Sequence, residues 1–396
     1  MNISGLRAGQ GSPSQQTDRA ASSSTQASPA PAGRRLQRQD ALPTNTRYQA
    51  SQMPATPERA RVAARNSAGA SSSAAHAQPS LSLSRQNAHR EDPALARFHH
   101  QMQQSTKMSR ADPLPEKPQV VPKRLQEKID AINLPRLKKL DNNLHEYGKM
   151  ATELAKEGSG SSSALTRMDK KVLPLLADAE NARHPGLNLH VYKKGEECYQ
   201  AIKDQHKSVQ QSGQPKTMRA LYPPFKGMPD HHIALDIQLR PGHRPSIVGF
   251  ESALGHMVEH LKQGIAEGVR GAKVHMVGNT IQNSQWDCTM YSLSNALKSF
   301  KHHDEYTARL HKGEKVPVPA EFFKHAQSKS SVEGKPHQDA VVTKDKGGLH
   351  AETLLHRNLA YRADRFDRAY STSIEGFRMQ EIQRAGEHLA AKKHKS

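Results

Sequence analysis

Cysteine is scarce: Cys198 and Cys288 are the only two in 396 residues. Two thiols make no disulfide framework, so the chain is expected to work in a reducing compartment. Long apolar runs are missing too. No stretch approaches membrane-spanning length, and the N-terminus has no apolar core of the secretory-signal kind. Asn2 excludes an N-myristoyl anchor. Hydrophobic residues make up 35% of the chain and aromatics 5%. That deficit is concentrated at the front, where Tyr48 and Phe98 are the only aromatics in residues 1–110. Runs such as Ala21-Ser22-Ser23-Ser24 and Ser71-Ser72-Ser73-Ala74-Ala75 surround them. Such a segment buries too little apolar area to offset its ordering entropy. Residues 1–115 are therefore expected to be a disordered leader, polar, Ser-rich and poor in acids, as secretion leaders are.

Acidic residues are also short, 38 against 58 Lys and Arg, for a formal net charge of +20 with 23 His besides. An excess of this size implies anionic partners. Nucleic acid is not the expected one. There is no zinc-finger spacing and no RNA-binding aromatic motif, and the basic residues are scattered through predicted helices.

Beyond Pro113, Pro115, Pro118 and Pro122 the pattern becomes that of a folded chain. Leu125, Ile129 and Ile132 have helical spacing, and Pro135 interrupts or restarts it. Leu137, Leu140, Leu144 and Tyr147 continue it to about Lys156. A flexible break at 158–163 precedes a helix over 164–182 that carries Pro174. Leu187–Tyr192 alternates like a short strand, and Glu196–Gln210 is helical. In His231–Leu239, Ile233, Leu235, Ile237 and Leu239 alternate as a strand does. A turn at Arg240–Pro245 leads to a second strand, Ser246–Glu251. Folding the hairpin at Gly242 brings the Glu251 carboxylate to the His231 end. A helix over 253–270 and a strand Lys273–Val277 follow. The C-terminal part is expected to hold helices over 319–328, 351–366 and 373–393.

Two stretches carry the chemistry. Cys288 opens a helical pattern of Met290, Leu293, Leu297 and Phe300. A thiol at a helix N-terminus meets the positive end of the dipole, which favours the thiolate. Asp287 stands at the N-cap, where a carboxylate accepts a backbone N–H. Gln282 lies just upstream, where its amide can donate to an oxyanion. The other stretch is the hairpin bearing His231, His232 and Glu251. A thiolate attacks an acyl carbon well when a histidine takes its proton and a carboxylate holds that histidine. The chain order is His, acid, Gln, Cys, whereas papain-like enzymes place the cysteine first. A competing pattern, His256-Met257-Val258-Glu259-His260, fits an H-x-x-E-H metal motif but lacks a third ligand. It reads as a polar helix face, and His302-His303-Asp304-Glu305 reads as a solvated helix end; no metal site is expected.

These segments resemble the YopJ family of bacterial type III effector acetyltransferases, in its plant-pathogen branch. The likeness spans about residues 120–385. It rests on Arg124–Ile129, Asn181–Leu189, the His–Glu hairpin, the Gln282–Leu293 segment, Phe322–His325 and Ser373–Ile382. The resemblance implies an α+β fold with a cysteine-protease-like core of the SUMO-protease and adenoviral-protease type. The acetyltransferase domain would run over 116–390, with its catalytic core at about 185–300 and regulatory helices at about 120–182 and 315–390. It implies His231 as general base, Glu251 as its orienter, Cys288 as nucleophile and Gln282 in the oxyanion hole. The family's spacing of a histidine five residues before a strand aspartate, here Asp236, favours His231 over His232. Acetyl-CoA is implied as donor and inositol hexakisphosphate as activator. Arg124, Lys128, Arg183, Arg357, Arg362 and Arg378 fall at or near the family's basic positions for that polyanion. Lys324 matches a family lysine that is self-acetylated or regulatory; its own pattern is that of a surface lysine on a helix. The implied acceptors are Lys, Ser or Thr of host immune-signalling or transcription-regulating proteins, in host cytoplasm or nucleus after type III secretion. Ser252 stands where many members have proline, which bears on the turn alone. The same triad also suits a cysteine isopeptidase of deSUMOylase type. The family likeness and the basic C-terminal part favour transfer.

Overall fold

A computed structural model describes residues 109–110, 119–225, 230–344, 350–365 and 368–394. Nearly all of the expected leader lies outside the described residues. Those that are described belong to one unit, Ser82–Ser396.

After a two-residue strand, Ser109–Arg110, come three helices, α1 (Lys123–Asp130), α2 (Leu134–Leu140) and α3 (Asn142–Lys156). Each later start is written locally. Asn133 accepts the Arg136 N–H at the start of α2, whose first turn holds Pro135; Asp141 accepts the Leu144 N–H for α3. Ser162 caps the long α4 (Ser163–Arg183) in the same way. Apolar residues at helical spacing, Leu125, Ile129, Leu144 and Tyr147 among them, are buried against α4 and the C-terminal helix.

The sheet behind the site has five strands in chain order: β1 (Leu189–Val191), β2 (Lys216–Tyr222), β3 (Ile233–Leu239), β4 (Ser246–Glu251) and β5 (Lys273–Gly278). The three central strands run antiparallel, and both outer pairs are parallel. The β3–β4 hairpin pairs Ala234 with Phe250, and Gly242 turns it with φ of 71°. Helices α5 (Gly195–Ser212) and α6 (Val258–Gly268) cover one face, burying Ile202, Leu261 and Ile265 against Ile233, Leu235 and Ile237. The other face carries α7 (Cys288–Lys301), whose Met290 and Leu293 belong to the core shared with α3 and α4.

A buried ion pair lies between sheet and α7. Arg219 of β2 is 2.8 Å from Asp236 of β3, donates to Ser299 of α7, and stacks on the Phe300 ring at 4.9 Å. His311, on the short α8 (Ala308–Lys312), lies 3.0 Å from the same carboxylate. Removing one partner of a buried pair leaves an uncompensated charge, so Arg219→Met should cost about 3–5 kcal/mol. A denaturant midpoint equal to that of wild type would contradict this.

Strand β2 is absent from the sequence reading, because a strand buried on both faces shows no alternation. The expected helix over 319–328 is instead a single 3-10 turn, Ala320–Phe323. The expected helix over 351–366 is broken up. Strands β6 (Val341–Lys344) and β7 (His350–Thr353) pair, a short α9 (Leu354–Ala360) follows, and β8 (Arg362–Arg365) pairs with β9 (Arg368–Ser371). Strand pairing there overrides helical spacing. The last helix, α10 (Ser373–Lys393), has the expected bounds and packs on α2, α3 and α4.

Candidate active site

His231 stands two residues before β3, Glu251 ends β4, and Cys288 opens α7. The hairpin register and the packing of α7 on β3 bring the three side chains together, all buried. The His231 Nδ1 atom lies 3.3 Å from Cys288 Sγ, and its Nε2 lies 2.8 Å from Glu251 Oε2. The other carboxylate oxygen, Oε1, accepts the backbone N–H groups of Ala253 and Leu254 at 2.6 and 2.9 Å. Glu251 is thus held from both sides and points one oxygen at the imidazole. The Gln282 amide nitrogen donates to Cys288 Sγ at 3.1 Å and to the Ser284 carbonyl at 2.8 Å. The Phe225 ring stacks on His231 with centroids 5.9 Å apart.

Electrostatics follow from these contacts. Burial works against a charged His231, but its hydrogen bonds to Cys288 and Glu251 outweigh burial and raise its pKa to about 10. Glu251 is the counterpart: burial raises it, and the His231 contact more than reverses this, leaving it below its ordinary value. At neutral pH the imidazole is therefore cationic beside the sulfur, an arrangement suited to a thiolate nucleophile. His232 differs in every respect. Burial lowers its pKa to about 4, its Nδ1 is 3.4 Å from Thr289 Oγ1, and its carbonyl accepts Ser292 Oγ of α7. It is a packing residue.

The Asp287 carboxylate makes no N-cap hydrogen bond to α7. Its oxygens accept instead from Ser161, Ser284, Gln327 and Arg378, so tertiary partners displace the local cap.

The basic candidates divide. Lys128 of α1 and Arg183 of α4 line a cleft of about 850 Å³ together with Gln380, Arg384, His388 and Lys392 of α10. Burial, then the fields of Arg357, Arg384 and Arg124, lower the pKa of Lys128, so these cations converge on one region. Arg124 and Arg357 hold the two oxygens of the Glu352 carboxylate at 3.1 and 3.2 Å. Arg362 lies on β8 with Nη1 buried and unbonded among the described residues. Arg378 is not with them. It is 1% exposed, and its guanidinium is bound to Asp169 and Asp287. Arg384, His388 and Lys392 are cleft residues that the sequence reading did not single out. Their spacing of four along a helix was the available signal.

Lys324 follows the 3-10 turn rather than standing on a helix, and burial followed by the Arg357 field lowers its pKa to about 8. His260 stacks on Phe225, Glu259 pairs with Lys262, and His302 lies 2.9 Å from Glu321. Among the described residues, no group of three or more His, Cys, Asp or Glu is placed to hold a metal ion. No described helix is long and apolar enough to cross a membrane.

Fold and site define the class first: an α+β protein with a cysteine-protease-like core. The family described as YopJ Serine/Threonine acetyltransferase matches residues 144–384. The chain belongs to that family, and it is an acetyltransferase. It is 28% identical over 324 residues to the serine/threonine-protein acetyltransferase HopZ1a of Pseudomonas syringae pv. syringae, covering 66% of this chain and 85% of that one. A serine/threonine-protein acetyltransferase of Sinorhizobium fredii is 24% identical over 193 residues, or 45% of this chain and 69% of that one. In fold, the chain is similar to the crystal structure of HopZ1a in complex with IP6, with a TM-score of 0.54 at 24% identity over 68% of this chain and 99% of that one. For AvrA with IP6 and CoA the TM-score is 0.50 at 22% identity, over 62% and 99%.

Proposed function

We propose that the chain carries acetyl on Cys288, taking it from acetyl-CoA and passing it to Lys, Ser or Thr side chains of host proteins. The observation that carries this reading is the placement of His231 between Glu251 and Cys288, with the Gln282 amide on the same sulfur. The thiolate adds to the thioester carbonyl, and the oxyanion that forms is met by the Gln282 amide and the Cys288 backbone N–H. Collapse expels the CoA thiolate, which takes the proton from His231. The imidazole, now neutral, removes the proton of the acceptor hydroxyl or amine as that group attacks the acetyl-cysteine. Glu251 steadies the ring in both halves. The same site would support hydrolysis only if water replaced the acceptor; the family assignment favours transfer.

The first half-reaction needs the imidazolium. Acetyl uptake by Cys288, followed by rapid-quench mass measurement, should hold through neutral pH and fall through about 10. A fall centred at the ordinary histidine value of 6.5 would contradict the assignment.

The activator fits the cleft between α1, α4 and α10. Lys128, Arg183 and Arg384 come from three helices, and one polyanion bridging them would draw these helices together. Inositol hexakisphosphate is the proposed ligand, with Arg124 and Arg357 at the margin. Arg362 remains a candidate, and Arg378 is left out because its donors are already engaged by two carboxylates. At a hundredfold excess over Kd the polyanion should stabilise the wild type by about 2.7 kcal/mol. Combined Lys128→Gln, Arg183→Gln and Arg384→Gln should abolish that gain; an unchanged melting shift would place the ligand elsewhere. Residues 116–390 are the proposed acetyltransferase domain, with residues 1–115 as a leader for type III delivery. The proposed acceptors are immune-signalling or transcription-regulating proteins of host cytoplasm or nucleus. Lys324 is a proposed self-acetylation site, because its lowered pKa supplies neutral amine.

A further inference from the structure

The segment bearing the nucleophile is anchored from behind by a buried charge network. Arg378 of α10 binds Asp169 of α4 through two parallel hydrogen bonds, both 3.0 Å. Its Nη2 also donates to Asp287 Oδ1 at 2.7 Å. Asp287 precedes Cys288 in the chain, and its other oxygen accepts from Ser161, Ser284 and Gln327. The Gln327 side-chain oxygen Oε1 in turn accepts the backbone N–H groups of Asn283 and Ser284 at 2.6 and 2.8 Å. Ser284 supplies the carbonyl that holds the Gln282 amide beside the sulfur. Ser284 is thus tied directly to the carboxylate that Arg378 holds, Asn283 is tied to it through Gln327, and Gln282 through Ser284.

The network is also a charge balance. Its surroundings are His231 and Glu251 at the hairpin, Tyr147 of α3, Asp169 of α4, Tyr291 of α7 and Glu375 of α10. Tyr147 donates its hydroxyl to Asp169, and burial, with the Asp169 charge next, holds it as the neutral phenol. Among these groups Arg378 supplies the positive charge that touches Asp287. Without it, a buried carboxylate would stand next to the thiolate and the developing oxyanion, opposing both. The same helix lines the basic cleft through Gln380, Arg384 and His388, so its seating and the nucleophile's segment share one rigid element.

We propose that Arg378 is a positioning residue for acetyl transfer, holding Asp287 so that the Gln282–Cys288 segment keeps its reactive geometry, and linking that geometry to the seating of α10. The proposal rests on the reading of Cys288 as the acetyl carrier. It separates position from charge, and three variants pull them apart. Arg378→Gln removes the cation and should move the midpoint of Cys288 alkylation by iodoacetamide to higher pH by about one unit. Asp287→Asn keeps the Arg378–Asp169 pair and so preserves the buried core. It should move the midpoint the other way while lowering kcat at least tenfold, with KM for acetyl-CoA within about twofold of wild type. Arg378→Lys keeps the charge but not the fork, so the midpoint should stay and kcat fall. Circular dichroism and melting of each full-length variant show whether it is folded. If Arg378→Gln does not fold, Asp287→Asn decides alone. A folded Asp287→Asn with wild-type kcat, or with an unmoved alkylation midpoint, overturns the proposal. Alkylation needs no acetyl donor. Failure of wild type to take up acetyl would therefore refute the carrier reading, while the midpoints would still decide the role of Arg378.

Discussion

Replacing Cys288 by alanine is expected to stop acetyl transfer, lowering the rate about a million-fold as nucleophile removal does in comparable acyl-transfer sites. The magnitude follows from the chemistry. Without the sulfur there is no covalent carrier, and His231 is left to activate an acceptor that would have to meet the thioester directly. The fold should survive, because the change deletes one buried atom at the first residue of α7 while Met290, Tyr291 and Leu293 keep their core contacts. His231 would lose its hydrogen bond to Cys288, one of the contacts that raise its pKa, and should titrate lower in the variant. Steady-state acetylation of a peptide acceptor, measured beside a melting curve, checks both halves. Transfer persisting at a hundredth of the wild-type rate or more would remove Cys288 from the carrier role.

Replacing Glu251 by glutamine should lower the rate about ten-thousand-fold with the protein folded, the size of effect seen when the carboxylate behind a catalytic histidine becomes an amide. Glu251 Oε2 accepts from His231 Nε2, and Oε1 accepts two backbone N–H groups. An amide can still accept the backbone pair through its oxygen, but it then turns an N–H toward His231. The ring must present a lone pair there, and its proton moves to the sulfur side, the wrong tautomer for a base. The loss of the carboxylate also removes support for the imidazolium, so the alkaline fall in acetyl uptake should move down from about 10. The sign for stability is the same. A folded pKa above 6.5 adds stability that is complete below 6.5 and is lost as pH rises through about 10, so the variant should lack that contribution most fully below 6.5, its deficit against wild type closing as pH rises through about 10. An unchanged pH profile in Glu251→Gln would separate Glu251 from the histidine's chemistry.

The catalytic hairpin was legible because its signals are local. Ile233, Leu235, Ile237 and Leu239 alternate, Gly242 marks the turn, and the carboxylate is the last residue of the second strand. The Cys288 helix was legible from Met290 and Leu293, both buried in the core. What escaped is carried by partners far apart in the chain. Asp287 stands where a helix cap belongs, yet Arg378, 91 residues later, takes its carboxylate. Arg378 in turn read, by the family likeness, as one of the basic positions for the polyanion, whereas packing buries it against Asp169 and Asp287. The basic cleft is similar: Lys128, Arg183 and Arg384 have no common spacing, and only the packing of α1, α4 and α10 brings them together. Strand β2 was hidden because Arg219, buried by its pairing with Asp236, puts a charge in the middle of a buried strand.

The most direct test of the central claim is intact-protein mass after incubation with acetyl-CoA, with and without inositol hexakisphosphate, for wild type and Cys288→Ala. The account predicts acetyl-sized mass increments that require both the polyanion and Cys288. Equal increments in Cys288→Ala, or no increment in wild type under any condition, would contradict it.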